Sequence, residues 1–320
     1  MIIEISKKET IHHVGDHVLR MADYILQFYR LKYGFDVVNP EFKDINNITT
    51  KLDQQIHADY VAELSKVWGD DIDILGEENK PKKKKWQPTR GKLVVSIDAV
   101  DGTDLVVKGL NNWCTALFFF SPGKQIESSF VGFPGILYFA SPNGAYKLYE
   151  IDSKRKNRIE QKRRARKLKI NLKNRTTDIR NVSVCVYGQK AGRLLSILEN
   201  DKFVGLLKCL KKESEKPQHK RDGNRPVNFR IYNLAGNPMI IKLIEGSIDI
   251  VFDLMGQKLY DVLPAAYIAQ KAGAFWGDLE GNEISEKYLF DKCLHDPENA
   301  KLNYIIASSE GLYREVLKHV

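Results

Sequence analysis

The chain has 320 residues, 43% of them hydrophobic and 10% aromatic, which excludes disorder along its whole length and suits one large domain or two intimate ones. Its 50 Lys and Arg against 41 Asp and Glu give a formal charge of +9, concentrated in three short runs rather than spread over the scaffold. No stretch approaches the roughly 18 uninterrupted apolar residues of a membrane span. The opening MIIEISKKETIHHVGDH lacks the basic-then-apolar order of a secretory signal. The cysteines Cys114, Cys185, Cys209 and Cys293 contain no C-x-x-C, so a soluble, cytoplasmic chain with reduced thiols and no membrane partner is expected.

In chain order, the apolar positions Ile11, Val14, Val18, Ile25 and Tyr29 predict a long amphipathic helix over 11–33, stopped by Gly34. From Thr50, the stripe Leu52, Ile56, Tyr60, Leu64 and Val67 predicts a second helix that ends at Trp68-Gly69-Asp70-Asp71. Lys92–Ile97 (KLVVSI) reads as a short buried strand that delivers Asp98 at its end. Further strands are expected over 113–120, 129–133, 137–140 and 145–149. Ser121-Pro-Gly-Lys and Ser141-Pro-Asn-Gly are turn sequences, and such short connections predict an antiparallel meander.

Residues 151–180 are hydrophilic, and within Lys154–Lys169 ten Lys or Arg stand against one acid, Glu160. Smaller basic runs lie at Lys82–Lys85 and Lys211–Arg221. Such runs suit a solvated face or a contact for nucleic acid or acidic lipid. Beyond the insert, strands are expected at 182–186, 248–252 and 304–307, with helices at 191–199, 238–245, 261–272 and 310–319. The pattern implies an α+β fold with an N-terminal α+β half (1–150), a basic insertion (151–180) and a C-terminal α/β half (181–320).

Three acidic features fall at element ends: Gly76-Glu77-Glu78-Asn79, Asp98-Ala-Val-Asp101-Gly102-Thr103, and Asp261 opening a helix. An apolar strand ending in D-x-x-D-G-T puts two carboxylates on a tight turn, with Gly102 permitting close backbone approach. The residues after Thr103 can open a helical turn whose N–H groups favour an anion. Carboxylates beside an anion site repel the anion unless a hard cation such as Mg²⁺ lies between them. Two such ions about 3.5–4 Å apart can clamp a phosphoryl group. Alone, the motif fits equally a helix-capping Asp beside a solvated one.

The joint order is more specific. Thr50-Lys-Leu-Asp53, Gly76-Glu77-Glu78, Asp98-Ala-Val-Asp101-Gly-Thr103, Tyr260-Asp261 and Ile305-Ile-Ala-Ser-Ser309 together resemble the inositol monophosphatase family over 1–150 and 180–320. The resemblance implies a layered α/β sandwich (αβαβα) and an Mg²⁺-dependent phosphomonoesterase with two or three ions. It implies that Glu77 and Asp98 with the Val100 carbonyl hold one ion, and that Asp98, Asp101 and Asp261 hold a second. Asp53, Glu77 and Thr103 would activate the attacking water, and the amides of Gly102 and Thr103 would hold the phosphate. Ala235 and Gly236 fall in the substrate loop. Asp253 fills the place of an acid that contacts the leaving group if one residue is inserted before Gly256; otherwise Leu254 stands there. The family's proline between the two aspartates is Ala99 here.

The expected substrate is a small phosphorylated metabolite such as an inositol or sugar monophosphate, and the expected assembly a homodimer. Two alternatives stand beside it: a 3′(2′),5′-bisphosphate nucleotidase, and a weakly active scaffold that binds RNA or another polyanion through Lys154–Lys169.

Overall fold

The computed structural model describes residues 7–31, 37–38, 49–76, 92–108, 110–155, 158–170, 178–217, 227–234 and 236–320. The chain divides into two compact units, Met1–Leu168 with Leu263–Ile268, and Lys169–Val262 with Ala269–Val320. Among the described residues the first unit carries helix α1 (Lys7–Leu31), the two-residue strands β1 (Val37–Val38) and β2 (Thr49–Thr50), α2 (Lys51–Trp68), β3 (Ile72–Gly76) and β4 (Leu93–Asp101). The single-turn α3 (Thr103–Val107) and strands β5 (Cys114–Ser121), β6 (Gln125–Phe133), β7 (Ile136–Ser141), β8 (Gly144–Arg155) and β9 (Arg158–Lys167) follow.

Strands β3 to β9 form a seven-stranded sheet in chain order. It is parallel between β3 and β4 and antiparallel from there on, as the short turns predict. Strand alternation sorts its residues. Val95, Ile97, Leu117, Phe119, Phe130 and Leu137 share one core with Val18 and Ile25 of α1 and Ile56 and Tyr60 of α2. On the opposite face, Phe118 meets Tyr267 edge-on at 6.0 Å, and Ser129 Oγ donates to the Pro264 carbonyl at 2.6 Å. A sheet covered on both faces needs apolar residues at successive positions, which explains the uninterrupted Leu117–Phe120 run.

The second unit carries β10 (Ser183–Val186), α4 (Ala191–Leu198), α5 (Asp201–Glu215), β11 (Arg230–Tyr232), α6 (Asn237–Glu245) and β12 (Ile250–Lys258). After these come α7 (Leu259–Lys271), β13 (Phe275–Gly277), α8 (Glu286–Lys292), β14 (Lys301–Ala307) and α9 (Glu310–Leu317). Its sheet runs β11-β10-β12-β14-β13. The first three strands are parallel, and the last two pair antiparallel. Val184, Phe252 and Ile305 pack against Phe203, Leu206 and Leu210 of α5 and Leu312 and Tyr313 of α9. The alternate residues Cys185, Val251 and Ile306 are equally buried, so this sheet too is covered on both faces. Helices and mixed sheets together make the α+β class that the sequence implies.

The structure also departs from the sequence reading. The hydrophilic stretch from 151 continues strand β8 and returns as β9. Helix α5 is not among the elements expected from the sequence, although Phe203, Leu206, Leu207 and Leu210 keep helical spacing. Gly34, the expected helix stop, lies outside the described residues.

Helix α1 lies close against β6 because position 132 has no side chain. A Cβ there would stand 2.5 Å from Val18 Cγ1 and 3.1 Å from the Val18 carbonyl oxygen. Gly132→Ala is therefore expected to destabilise the first unit by about 1–3 kcal/mol through overpacking, read as a lowered thermal midpoint.

Candidate active site

Strand β4 sets the first part of the site. Asp98 pairs across with Ala116 and Asp101 with Cys114, so three steps along β4 match two along β5. The extra residue is a β-bulge, which re-aims the side chains on either side of it. Residues three apart on a regular strand point to opposite faces; across this bulge Asp98 and Asp101 share the face of Ala116 and Cys114. The Cys114 thiol reports the result. Burial first, then the fields of Asp101 and Asp98, push it well above its ordinary range.

Asp98 is only 4% exposed. Thr115 Oγ1 lies 3.4 Å from the Asp98 carbonyl and 2.8 Å from the Tyr60 hydroxyl. Burial pushes the Tyr60 phenol far above its ordinary range, which keeps it neutral as a hydrogen-bonding partner. Neither Tyr60 nor Thr115 was singled out from sequence as part of a site; Tyr60 read only as one residue of a helix stripe.

The chain then turns through Gly102, at φ 97° and ψ 31°, into α3. A Cβ at 102 would stand 2.7 Å from the Asn112 carbonyl oxygen, so conformation and space both demand glycine. Thr103 Oγ1 lies 2.7 Å from Asp53 Oδ1 and 2.8 Å from the Val100 carbonyl oxygen. The hydroxyl has one proton to give, and the carboxylate is the stronger acceptor. Asp53, on the first turn of α2, is 3% exposed. The structure thus brings Asp53, Asp98, Val100, Asp101, Gly102 and Thr103 together in the first unit. Glu77 lies outside the described residues.

In the second unit, Asp261 is half-buried in the first turn of α7. The fully buried Asn237, at the start of α6, donates through Nδ2 to the Tyr260 carbonyl at 3.0 Å. That bond ties the Gly236 turn (φ 79°) to the turn that carries Asp261. Ala235 lies outside the described residues.

Asp253 is 2% exposed, and both its oxygens serve the protein interior. Oδ1 accepts from the amides of Met255 (2.9 Å) and Gly256, and Oδ2 pairs with Arg193 Nη1 at 2.6 Å. Arg193 also donates to the Gly256 carbonyl at 3.0 Å and stacks 4.1 Å above the Tyr187 ring. Sequence reading missed Arg193; the signal was a single cation among the leucines of AGRLLSIL. At the neighbouring strand end, Asn233 and Gly188 exchange hydrogen bonds of 2.7 and 2.9 Å. The carboxyl ends of β11, β10 and β12 are thereby locked, at the end of a parallel sheet where ligands characteristically bind.

The donor chemistry around the bulge fits a hard divalent ion. Two carboxylates on one face repel each other, and oxygen donors are what Mg²⁺ prefers. Among the described residues no three His, Cys, Asp or Glu side chains form a complete metal cluster.

The sequence matches the inositol monophosphatase family over residues 20–317. None of the curated proteins matches it. Among solved structures, it is similar to a hypothetical protein from Pyrococcus horikoshii with similarities to inositol-1 monophosphatase, at 16% identity and TM-score 0.65, covering 98% of each chain. It is similar to the Thermotoga maritima IMPase at 17% identity and TM-score 0.59, covering 95% of this chain and 94% of that one. An IMPase/NADP phosphatase complexed with Mg²⁺ and phosphate matches at 15% identity and TM-score 0.62, covering 97% of this chain and 94% of that one. At such identities the structural likenesses carry the fold.

Arg193→Met is expected to cost about 3–5 kcal/mol, because it leaves a buried carboxylate without its cation. Burial, outweighing Arg193, already raises the Asp253 carboxyl above its usual range. A carboxyl whose folded pKa exceeds its unfolded one binds more protons when folded, so its contribution grows as pH falls through the folded value. The deficit of the variant should therefore shrink on mild acidification, which thermal melts at neutral and acidic pH would measure.

Proposed function

Because the chain belongs to the inositol monophosphatase family, whose members are phosphatases, we propose that it is an Mg²⁺-dependent phosphomonoesterase acting on a small phosphate ester, an inositol or sugar monophosphate first. The observation that carries this reading is the bulge that sets Asp98 and Asp101 on one face, beside the Asp53–Thr103 hydrogen bond. We assign Glu77, Asp98 and the Val100 carbonyl to one Mg²⁺, and Asp98, Asp101 and Asp261 to a second. When bound, the ions would supply charge neutralisation of the phosphoryl group and acidification of the attacking water.

The chain's own residues have distinct tasks in this scheme. Asp53 holds the Thr103 proton, which turns the lone pairs of Thr103 Oγ1 outward to accept a hydrogen bond from water. With Glu77, the pair orients that water in line with the leaving oxygen and withdraws its proton. The amides of Gly102 and Thr103 fix the phosphate oxygens. Attack is direct, with no covalent enzyme intermediate; positioning and charge do most of the work in phosphoryl transfer. Gly236 is assigned to the wall around the leaving group, with Ala235 beside it. Asp253 is assigned a supporting part in that wall through its hold on Met255 and Gly256. We further propose a cytoplasmic homodimer.

Phosphate release with Mg²⁺ from inositol 1-phosphate, fructose 1,6-bisphosphate and adenosine 3′,5′-bisphosphate tests the substrate class; inertness towards all three would overturn it. Asp98→Asn and Asp261→Asn are each expected to lower turnover by about 10²-fold or more, as is chelation of the metal. Activity preserved in either variant would sink the site assignment. Thr103→Ala should lower kcat while isothermal titration shows Mg²⁺ affinity retained.

A further inference from the structure

Strand β5 answers the bulge in β4 with a single residue. Cys114 pairs with Asp101 and Ala116 with Asp98, so Thr115 alone stands opposite Ala99 and Val100. On its other side Thr115 pairs with Gly132 of β6, which fixes its backbone from a second strand. Alternation turns its side chain away from the face of Ala116 and Cys114, towards the core under α1 and α2.

There it meets Tyr60 of α2. Both residues are 0% exposed, and their hydroxyl oxygens lie 2.8 Å apart. Thr115 Oγ1 also lies 3.4 Å from the carbonyl oxygen of Asp98. A carbonyl only accepts, and a threonine hydroxyl has one proton to give. Thr115 therefore donates to Asp98, and Tyr60 donates to Thr115. The result is a tether that runs from α2 through β5 to the residue at the start of the bulge.

Packing alone does not ask for two hydroxyls here. Tyr60 belongs to a core built of Ile56, Leu64, Val95, Ile97 and Phe119. Phenylalanine and valine would fill the same space, and apolar groups of the same shape in place of both partners of a buried hydrogen bond are nearly neutral. What the hydroxyls add is direction, since hydrogen bonds are satisfied over a narrow range of geometry. Asp53 and Tyr60 are seven residues apart, about two turns along α2, and both are buried. One helix face thus holds the β4 exit at two points, through Thr115 at the start of the bulge and through Thr103 beyond it.

We propose that Tyr60 and Thr115 are positioning residues of the metal site. Their tether fixes the Asp98 carbonyl, and through it the direction of the Asp98 carboxylate and of the Val100 carbonyl. This inference rests on the phosphatase reading, in which both of those groups hold Mg²⁺. Neither hydroxyl is offered to the ion itself, because both are spent within the tether.

Tyr60→Phe and Thr115→Val each remove one hydroxyl and nearly keep the shape, whereas Thr115→Ser keeps the hydroxyl. Calorimetric titration of Mg²⁺ into the full chain without substrate, together with kcat on the ester that the wild type hydrolyses, tests the proposal. Y60F and T115V should each weaken Mg²⁺ binding and lower kcat by about tenfold, while T115S stays within about threefold of the wild type. Because either change breaks the whole tether, Y60F/T115V should lose no more than the worse single variant. Thermal melts show which variants fold; should one single variant fail to fold, the other alone decides. A merely structural pair would lower the thermal midpoint and leave Mg²⁺ affinity as it is. That result, a T115S variant as impaired as T115V, or additive losses in the double variant would overturn the proposal and leave the phosphatase reading standing. A wild type that takes up no Mg²⁺ would overturn that reading, and this inference with it.

Discussion

The candidate chemistry depends on one extra residue in strand β4. Without it, Asp98 and Asp101 would fall on opposite faces of the sheet, one among the apolar side chains under α1 and α2. With it, the two carboxylates share one side of the sheet. Both flanks of the bulge are fixed. Upstream, β4 is paired to β3 and β5. Downstream, Gly102 and the Thr103–Asp53 bond pin the exit of the strand to α2.

The second unit follows a different logic at the ends of its parallel strands. Asn237, Asn233 and Arg193 each join two chain segments at the carboxyl ends of the parallel strands. The neutral amides cost little to bury when satisfied, whereas the Arg193–Asp253 pair is a costly element whose return is geometric. Through it the β12 irregularity between Asp253 and Gln257 is held in one conformation ahead of the turn that carries Asp261.

Much of this was legible in the residues. D-x-x-D-G-T after KLVVSI announced a strand ending in acids, and the glycine demanded at position 102 is a glycine for the reason the motif suggests. The helices carrying Asp53 and Asp261 followed from periodicity. What the sequence concealed is of two kinds. A bulge has no compositional signature of its own here, since Ala99 and Val100 read as ordinary strand residues, so the facing of the two aspartates could not be deduced from spacing. Long-range polar pairs such as Arg193 with Asp253, 60 positions apart, depend on the order of strands in the sheet. The basic run was visible as charge but not as a pair of strands, because a hydrophilic strand and a loop can have the same composition.

The β8–β9 hairpin has a consequence for how the protein can change. Tyr149 and Arg164 are cross-strand neighbours, so the chain between them could be shortened to a turn without disturbing any other pairing in the sheet. Lengthening or trimming it leaves the pairing of β8 with β7 as it is. The hairpin is therefore a module that selection can add, enlarge or discard independently, and relatives with the same enzymatic core are free to differ there.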